Sequence, residues 1–186
     1  FRVAPGGRSI VPNDPPFYQI PEHIAPRHIT YLPGTEYFFV CNELGYTVSA
    51  YRLCEESGQI TPLDRQSTMP YAVADALGGV ADIHLGCGGR FLYVSNRFRE
   101  PEASPSYLAI FAVQPDGMLR PVDYHRLRGE NPRGFSFDPS GRFLFTADMN
   151  SGTVSRFRVD PETGLLSGET VAAQVPSPSC IRIRRF

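Results

Sequence analysis

The stretch Gly88-Gly89-Arg90-Phe91-Leu92-Tyr93-Val94-Ser95-Asn96-Arg97 has two counterparts elsewhere in this chain of 186 residues. Residues 34–43 (GTEYFFVCNE) precede it by 54 positions, and residues 140–149 (SGRFLFTADM) follow it by 52. Each copy is a turn followed by an apolar, aromatic-rich run that suits a half-buried strand. A repeat of about 50 residues built on strands is typical of a β-propeller, in which each repeat is one sheet.

The remainder of each repeat also has the pattern of short strands. Gly and Pro recur every few residues, interrupt runs rich in Val, Ile, Phe, Tyr and Thr, and leave no amphipathic helix evident. We therefore predict an all-β fold, a β-propeller of four-stranded antiparallel blades. The predicted strands lie at residues 27–32, 37–42, 47–53 and 60–67; at 81–85, 91–96, 107–113 and 119–126; and at 133–137, 143–148, 153–159 and 166–173.

These strands predict a single partial propeller domain with three full blades. The expected boundaries are 1–26 for the end of a preceding blade, 27–74, 75–131 and 132–175 for the full blades, and 176–186 for the first strand of a closing blade. Residues 17–20 are predicted to be the last strand of the preceding blade. Because propellers close with ~4–8 blades, we expect the missing N-terminal half to come from the same chain or another one.

The composition argues against several kinds of partner. The formal net charge is −1 without a basic stripe, which argues against nucleic acid, and no apolar run is long enough to cross a membrane. The four cysteines are scattered without a close pair, so we expect no zinc site and no other metal. We interpret them as free thiols of a reducing compartment such as the cytoplasm, with disulfides as the alternative. They are Cys41, Cys54, Cys87 and Cys180.

Two positions of the repeat hold charged residues that the architecture alone does not require. The position after the aromatic strand holds Glu43 and Arg97, with Met149 in the third copy, and the position opening the first strand holds Arg27 and Arg133. The first strands of a propeller line its central channel, so equivalent positions converge near the axis. Guanidinium groups bind carboxylate or phosphate. We therefore expect the arginines to hold an anion and Glu43 to act as a general base.

Several short motifs follow one another in an order that resembles a known family. They are residues 26–29 (PRHI), 42–44 (NEL), 82–84 (DIH), 89–97 (GRFLYVSNR), 131–135 (NPRGF), 138–144 (DPSGRFL) and 175–180 (VPSPSC). In these motifs the chain resembles the C-terminal half of the seven-bladed lactonase propellers, which include propeller-type 6-phosphogluconolactonase and carboxy-cis,cis-muconate cyclase. The resemblance implies cofactor-independent hydrolysis of an anionic sugar lactone such as 6-phosphogluconolactone, or lactonisation of a muconate.

The predicted site combines the charged repeat positions with this resemblance. The predicted catalytic residues are Glu43, Arg97, Arg27 and His84. The first three of these resemble positions proposed as catalytic in carboxy-cis,cis-muconate cyclase, the fungal member of this family. The predicted substrate-binding residues are Arg133, His28, Asn96 and Asp82. His28 and His84 are expected to relay protons near neutral pH.

Several of these assignments have an architectural alternative. An ion pair between Arg27 and Glu43 that joins adjacent strands is the alternative to catalysis. His28 follows Arg27 on a strand, so alternation places it on the opposite face as a core histidine. Asn96 has a polar counterpart in both other repeats, which favours a capping role repeated in every blade.

The whole protein also has alternative functions. A non-catalytic propeller that serves as an interaction scaffold or assembly subunit is the second hypothesis, because a fold alone does not establish chemistry. A ligand- or metal-binding sensor ranks third, since the sequence has no carboxylate cluster suited to calcium. The Pro- and Glu-rich segment at residues 99–106 is interpreted as a lid or a partner contact.

Overall fold

The computed structural model of the protein describes residues 1–20, 23–71, 78–98 and 105–184. The first elements are β1 (Arg2–Val3) and β2 (Ile10–Val11), which form a two-stranded antiparallel hairpin. Three four-stranded antiparallel sheets follow, each with its strands in sequential order, and we call them blades I, II and III. No helix among the described residues is long and apolar enough to cross a lipid bilayer.

The blades repeat one pattern of strands. Blade I consists of β3 (Pro26–Tyr31), β4 (Tyr37–Asn42), β5 (Thr47–Leu53) and β6 (Ile60–Ser67). Blade II consists of β7 (Gly78–Gly86), β8 (Phe91–Phe98), β9 (Tyr107–Val113) and β10 (Leu119–Arg126), with a short 3-10 turn at Cys87–Gly89 between β7 and β8. Blade III consists of β11 (Pro132–Phe137), β12 (Phe143–Asp148), β13 (Thr153–Val159) and β14 (Leu166–Gln174). The predicted fold class is confirmed, and among the twelve predicted strands of the full blades the largest difference is at β7, which begins at Gly78 instead of position 81.

The segment before blade I differs from the prediction. Residues 17–20 form no strand; Tyr18 instead packs edge-on against Tyr51 of β5, with ring centroids 5.6 Å apart. Pro15 and Pro16 immediately precede this segment, and proline lacks the N–H group that a strand ladder uses. This segment therefore packs on blade I through a side chain instead of extending a sheet.

The segment after blade III also differs from the prediction. Residues 176–184 form no strand, although they lie beside β11: a Cβ atom built on Gly134 would be 3.3 Å from the carbonyl oxygen of Ser179. The first strand of a blade is held by hydrogen bonds to the second strand, and the described residues provide no second strand for this segment.

Blade II is buried on both faces. Successive side chains of a strand point to opposite sides of the sheet, so Leu92 and Val94 of β8 face blade I, whereas Tyr93 faces blade III. The core between blades I and II consists of Phe39, Cys41, Val48, Ala50, Val80, Ile83, Leu92, Val94, Ala109, Phe111 and Leu119. The core between blades II and III consists of Phe91, Tyr93, Leu108, Ile110, Leu127, Phe135, Leu144, Phe157, Val159 and Leu166. Because burial of one Val, Leu, Ile or Phe side chain contributes about 1.5–3 kcal/mol to stability, these two cores hold the blades together.

The cysteines take no part in cross-links. All four are free thiols, so the disulfide alternative is wrong. Cys41 lies in the core between blades I and II, where burial raises the pKa of its thiol to about 11. It therefore behaves as a small apolar residue of the core.

A glycine in the turn between the third and fourth strands packs on the neighbouring blade. Gly117 of blade II lies against the ring of Tyr37, and Gly164 of blade III lies against the ring of Phe91. A Cβ atom on either glycine would be 2.6 Å from a ring carbon, and both glycines have φ values in the left-handed region. The turn and the close approach both require glycine here, and the repeated contact sets the spacing of the blades.

Each first strand has a β-bulge near its start. The register shifts between Pro26 and His28 in blade I, and equivalent shifts occur in blades II and III. A bulge rotates the strand locally and re-aims the side chains beside it. Consecutive residues at these points can therefore face the same side of the sheet.

A buried polar residue lies at or near the end of the second strand of every blade. In blade I, Asn42 donates hydrogen bonds to Thr47 at 3.0 Å and Ser49 at 2.9 Å on β5. In blade III, Asp148 takes the same place and accepts a hydrogen bond of 2.6 Å from the hydroxyl of Ser155. These contacts join the second and third strands of one blade, so the residues serve the architecture.

Asn96 is the equivalent residue of blade II, but its partner lies in blade I. Its side-chain oxygen accepts a hydrogen bond from the Thr68 hydroxyl at 2.7 Å, and its amide donates to the Thr68 carbonyl at 2.8 Å. Asn96 is fully buried with both ends of its amide engaged, which favours the architectural alternative over its predicted role in substrate binding. It joins two blades.

We predict that Asp148→Asn stabilises the protein at pH 7. Burial raises the pKa of Asp148, although hydrogen bonds from the hydroxyls of Ser155, Thr146 and Thr153 partly oppose this, and its Oδ1 has no partner among the described residues. Asparagine has the same shape without the buried charge, so the free energy of unfolding should rise by about 1 kcal/mol. The gain should disappear as the pH falls below the ordinary value of 3.8, where both folded and unfolded chains carry a neutral carboxyl. Urea denaturation across this pH range measures the effect.

The reciprocal change Asn42→Asp in blade I is the matched control and should lower the free energy of unfolding at pH 7. A loss of stability at pH 7 in Asp148→Asn would contradict the prediction.

Candidate functional site

A cleft of about 610 Å³ opens where the first strands of the three blades meet. Its walls come from β3, β7 and β11 and from residues 179–182, so the first strands converge as the repeat predicts. The charged and titratable side chains that line it, cysteine apart, are Arg27, His28, Asp82, His84, Arg133 and Arg182. Five of these six residues belong to the predicted site, and Arg182 was not predicted.

Beside the cleft, Glu43 forms ion pairs with two arginines. Its Oε1 is 2.6 Å from Nη2 of Arg97 on blade II, and its Oε2 is 3.7 Å from Nε of Arg27 on β3. Val80 and Gly79 of β7 hold the backbone of Glu43 against blade II, through a hydrogen bond from Val80 N–H to the Glu43 carbonyl at 3.1 Å and close contact at Gly79. The alternative Arg27–Glu43 ion pair is thus present, but the shorter contact crosses between blades to Arg97.

Arg27 connects this ion-pair cluster to the cleft. Its Nη1 donates to the carbonyl oxygen of Ala81 on blade II and lies 3.2 Å from Nε2 of His28. The same guanidinium therefore reaches Glu43 through Nε and lines the cleft through Nη1.

Asp82 is the centre of a second cluster, at the wall of the cleft. Its Oδ1 is 2.8 Å from Nδ1 of His28 on blade I, and its Oδ2 is 3.1 Å from Nε2 of His84. The backbone N–H of Phe135 on blade III donates to Oδ2 at 3.2 Å. One carboxylate thus bonds to the first strands of all three blades. No three metal-ligating side chains come together as a metal site within residues 1–20, 23–71, 78–98 and 105–184.

The electrostatics of this cluster keep Asp82 ionised. Burial alone would raise the pKa of Asp82, but the hydrogen bond and charge of His84, with hydrogen bonds from His28 and the Phe135 N–H, lower it to about 2. An ionised carboxylate only accepts hydrogen bonds. Both imidazoles must therefore present a protonated nitrogen to Asp82.

His28 faces the cleft, which corrects the expectation that it is a core histidine on the face opposite Arg27. Both residues line the cleft because the bulge at Arg27 interrupts the alternation of β3. The side chain of His28 is 45% exposed, so solvent and small molecules can reach it.

The remaining charged and repeat-equivalent positions differ in whether they line the cleft. Arg133 opens β11 and lines the cleft, whereas Met149, at the repeat position of Glu43, does not. Arg182 was missed because it lies in an incomplete repeat, although aligning residues 178–182 with residues 80–84 of β7 gives it the repeat position of His84. Within the described residues, neither Arg133 nor Arg182 has an ion-pair partner. Residues 99–104 of the predicted lid lie outside the described part of the chain.

We predict that Asp82→Asn destabilises the protein by about 2 kcal/mol at pH 7. The folded pKa of Asp82, about 2, is below its ordinary value of 3.8. Ionised Asp82 therefore contributes stability above pH 3.8, and this contribution is lost as the pH falls toward 2. Urea denaturation should show the difference between variant and wild type shrinking over that interval.

Glu36→Gln, at an exposed carboxylate next to β4, is the control and should show no such trend. A difference for Asp82→Asn that stays constant down to pH 2 would refute the assigned ionisation.

Comparison with known proteins places this geometry in a family. Residues 1–183 match the family described as "Lactonase, 7-bladed beta-propeller". The chain is 36% identical over 143 residues to 6-phosphogluconolactonase of Serratia proteamaculans. The aligned region covers 76% of this chain and 41% of that protein. It is 34% identical over 139 residues to 6-phosphogluconolactonase of Pectobacterium carotovorum, covering 75% of this chain and 40% of that protein.

Solved structures agree with these relatives. The periplasmic gluconolactonase PpgL of Pseudomonas aeruginosa superposes with a TM-score of 0.77 at 32% identity, covering 90% of this chain and 44% of that one. The chain therefore spans about two fifths of the length of the curated relatives it matches. With its three blades and its family match, the chain belongs to the seven-bladed β-propeller lactonases.

Proposed function

We propose that this chain carries part of the active site of a lactonase that hydrolyses an anionic sugar lactone such as 6-phosphogluconolactone. The observation that carries the proposal is the Glu43 carboxylate, held by Arg97 and Arg27 beside a cleft that contains two further arginines. The names of the relatives support the reaction class. Because the chain spans only part of those relatives, we propose that further blades, in the same chain or a partner, complete the site.

The reaction needs a base, a site for negative charge and a proton donor. A lactone is hydrolysed when water attacks its carbonyl carbon, the ring C–O bond breaks, and the ring oxygen takes up a proton to give the open hydroxy acid. Glu43, with 30% of its side chain exposed, accepts the proton from the attacking water. The Arg27 guanidinium stabilises the oxyanion that forms on the carbonyl oxygen. Protonated Glu43 then returns the proton to the ring oxygen, so atoms and charge balance with water alone and without a cofactor.

Arg133 and Arg182 suit the anionic end of the substrate. Both line the cleft, and the planar guanidinium binds phosphate or carboxylate through paired hydrogen bonds. Asp82 bonds to His28 and His84 and forms no ion pair with either arginine among the described residues. His84, packed edge-on against the Phe135 ring at 4.7 Å, is held in the same wall. We also propose a reducing compartment such as the cytoplasm, which the four free cysteines favour.

One observation favours the scaffold hypothesis. The Arg27–Glu43–Arg97 network joins blades I and II, so it stabilises the fold whether or not the site turns over a substrate. The lactonase hypothesis predicts that removal of the Glu43 charge lowers turnover, whereas a scaffold has no turnover to lose.

We predict that Glu43→Gln lowers kcat for lactone hydrolysis by about 10²- to 10⁴-fold, because glutamine cannot accept the proton of water. Lactone disappearance, corrected for spontaneous hydrolysis, is the measurement, and circular dichroism checks the fold. Glu162→Gln is the matched control, since Glu162 pairs with Arg90 between blades II and III at 3.3 Å outside the cleft. Turnover that is unchanged by Glu43→Gln, with only stability lowered, would contradict the role of Glu43 as the base, and a wild-type protein without lactone hydrolysis would favour the scaffold.

We predict that Arg133→Ala and Arg182→Ala raise KM for a phosphorylated lactone by about 10-fold or more each, because each removes a charge-assisted contact. KM for an uncharged sugar lactone should change little. Parallel kinetics on the two substrates test this, with Arg120→Ala on the outer strand β10 as the control. Equal increases for both substrates would mean that these arginines do not bind the anionic end.

A further inference from the structure

The two clusters of the site form one chain of polar contacts, which consists of two hydrogen bonds and a final ion pair. The chain runs from Asp82 Oδ1 to His28 Nδ1 at 2.8 Å, from His28 Nε2 to Arg27 Nη1 at 3.2 Å, and from Arg27 Nε to Glu43 Oε2 at 3.7 Å. It begins on blade II, crosses to blade I and ends at the candidate base. The first and last groups are carboxylates, and the groups between them are an imidazole and a guanidinium.

The chemistry of the end groups determines which group donates and which accepts in each hydrogen bond of this chain. Asp82 as a carboxylate only accepts, so Nδ1 of His28 carries the proton. In a neutral imidazole the other nitrogen, Nε2, then has a lone pair and accepts. Arg27 only donates, and although its Nη1 is also 3.4 Å from Nδ1, the protonated Nδ1 cannot accept. The opposite tautomer would turn an N–H toward the guanidinium and a lone pair toward the carboxylate.

Asp82 is itself held by blades II and III, in addition to His28 of blade I. The Ser95 hydroxyl accepts from its backbone N–H at 3.0 Å, and its side chain accepts from Ile83 N–H at 3.0 Å and from Phe135 N–H at 3.2 Å. The residue before it, Ala81, supplies the carbonyl oxygen that accepts from Arg27. Two consecutive residues of β7 therefore determine where the Arg27 guanidinium lies.

We propose that Asp82 is a positioning residue of the site. It holds His28 in the Nδ1–H tautomer, whose Nε2 accepts from Arg27 and so directs the guanidinium toward Glu43. Asp82 acts through His28 and does not contact the reacting atoms. The catalytic consequence rests on the proposed lactonase function, whereas the tautomer of His28 does not.

The direct test is the protonation of the His28 ring in the native full-length protein. Two-bond ¹H–¹⁵N spectra of protein labelled with [¹⁵N]histidine distinguish protonated from unprotonated ring nitrogens, and the signals lost in His28→Gln identify His28. We expect Nδ1 protonated and Nε2 unprotonated at pH 8. In Asp82→Asn the fixed tautomer should be lost, because one amide cannot accept from both imidazoles. An Nε2–H tautomer, an equal mixture of tautomers or a doubly protonated ring in the wild type would overturn the proposal.

The kinetic test asks whether Asp82 acts through His28. We expect Asp82→Asn to lower kcat/KM by about 10- to 100-fold. The double variant with His28→Gln should be no less active than His28→Gln alone, because glutamine offers Arg27 an acceptor without help from Asp82. Fully additive losses would show that Asp82 acts independently of His28.

Asp64→Asn is the matched control for these kinetics. Asp64 of β6 also accepts a hydrogen bond across blades, from Leu119 N–H at 3.0 Å, but it lies outside the cleft. It should leave kcat/KM unchanged. If Glu43→Gln retains full activity, the proposed role of Glu43 as the base fails, while the ring spectra still decide the tautomer. Wild-type activity with the wrong His28 tautomer would overturn only the positioning role.

Discussion

The packing of blade II between blades I and III is the constraint on which the rest of the structure depends. Two apolar cores and the close approach of Gly117 and Gly164 to aromatic rings fix the spacing of the sheets. Once that spacing is fixed, residues one repeat apart become neighbours. Arg97 and Glu43 are 54 positions apart, as are His28 and Asp82, and both pairs form the contacts of the site. The chemistry of the cleft is thus a consequence of the repeat period and the packing of its blades.

The charges at the cleft are distributed unevenly although the chain is nearly neutral. Asp82 and Glu43 each meet two cationic or imidazole partners, whereas Arg133 and Arg182 have none among the described residues. An uncompensated guanidinium pair in a concave surface concentrates positive potential there. This local excess, which the net charge of −1 conceals, is the basis of the proposed anionic ligand.

Local patterns predicted the parts of the structure that local forces determine. Alternation and turn residues located the twelve blade strands because a strand's two faces and its turns are set by neighbouring residues. Aligning the repeats also singled out Glu43, Arg97 and Arg27 before their contacts were known. Two residues differ from expectation, one because a contact comes from another blade and one because the backbone is irregular. Asn96 is buried because Thr68 of blade I meets it, and His28 shares a face with Arg27 because of a bulge.

The sequence by itself determined the four-stranded repeat, the number of complete blades and the set of charged positions that depart from the repeat. The tertiary structure alone decided which of those charges meet. Asp82 illustrates the difference: nothing within a few positions of it indicates that His28, 54 residues earlier, and the backbone of Phe135, 53 residues later, donate to the same carboxylate. Those bonds depend on the angle and distance between sheets, which come from core packing summed over three blades and not from any single segment.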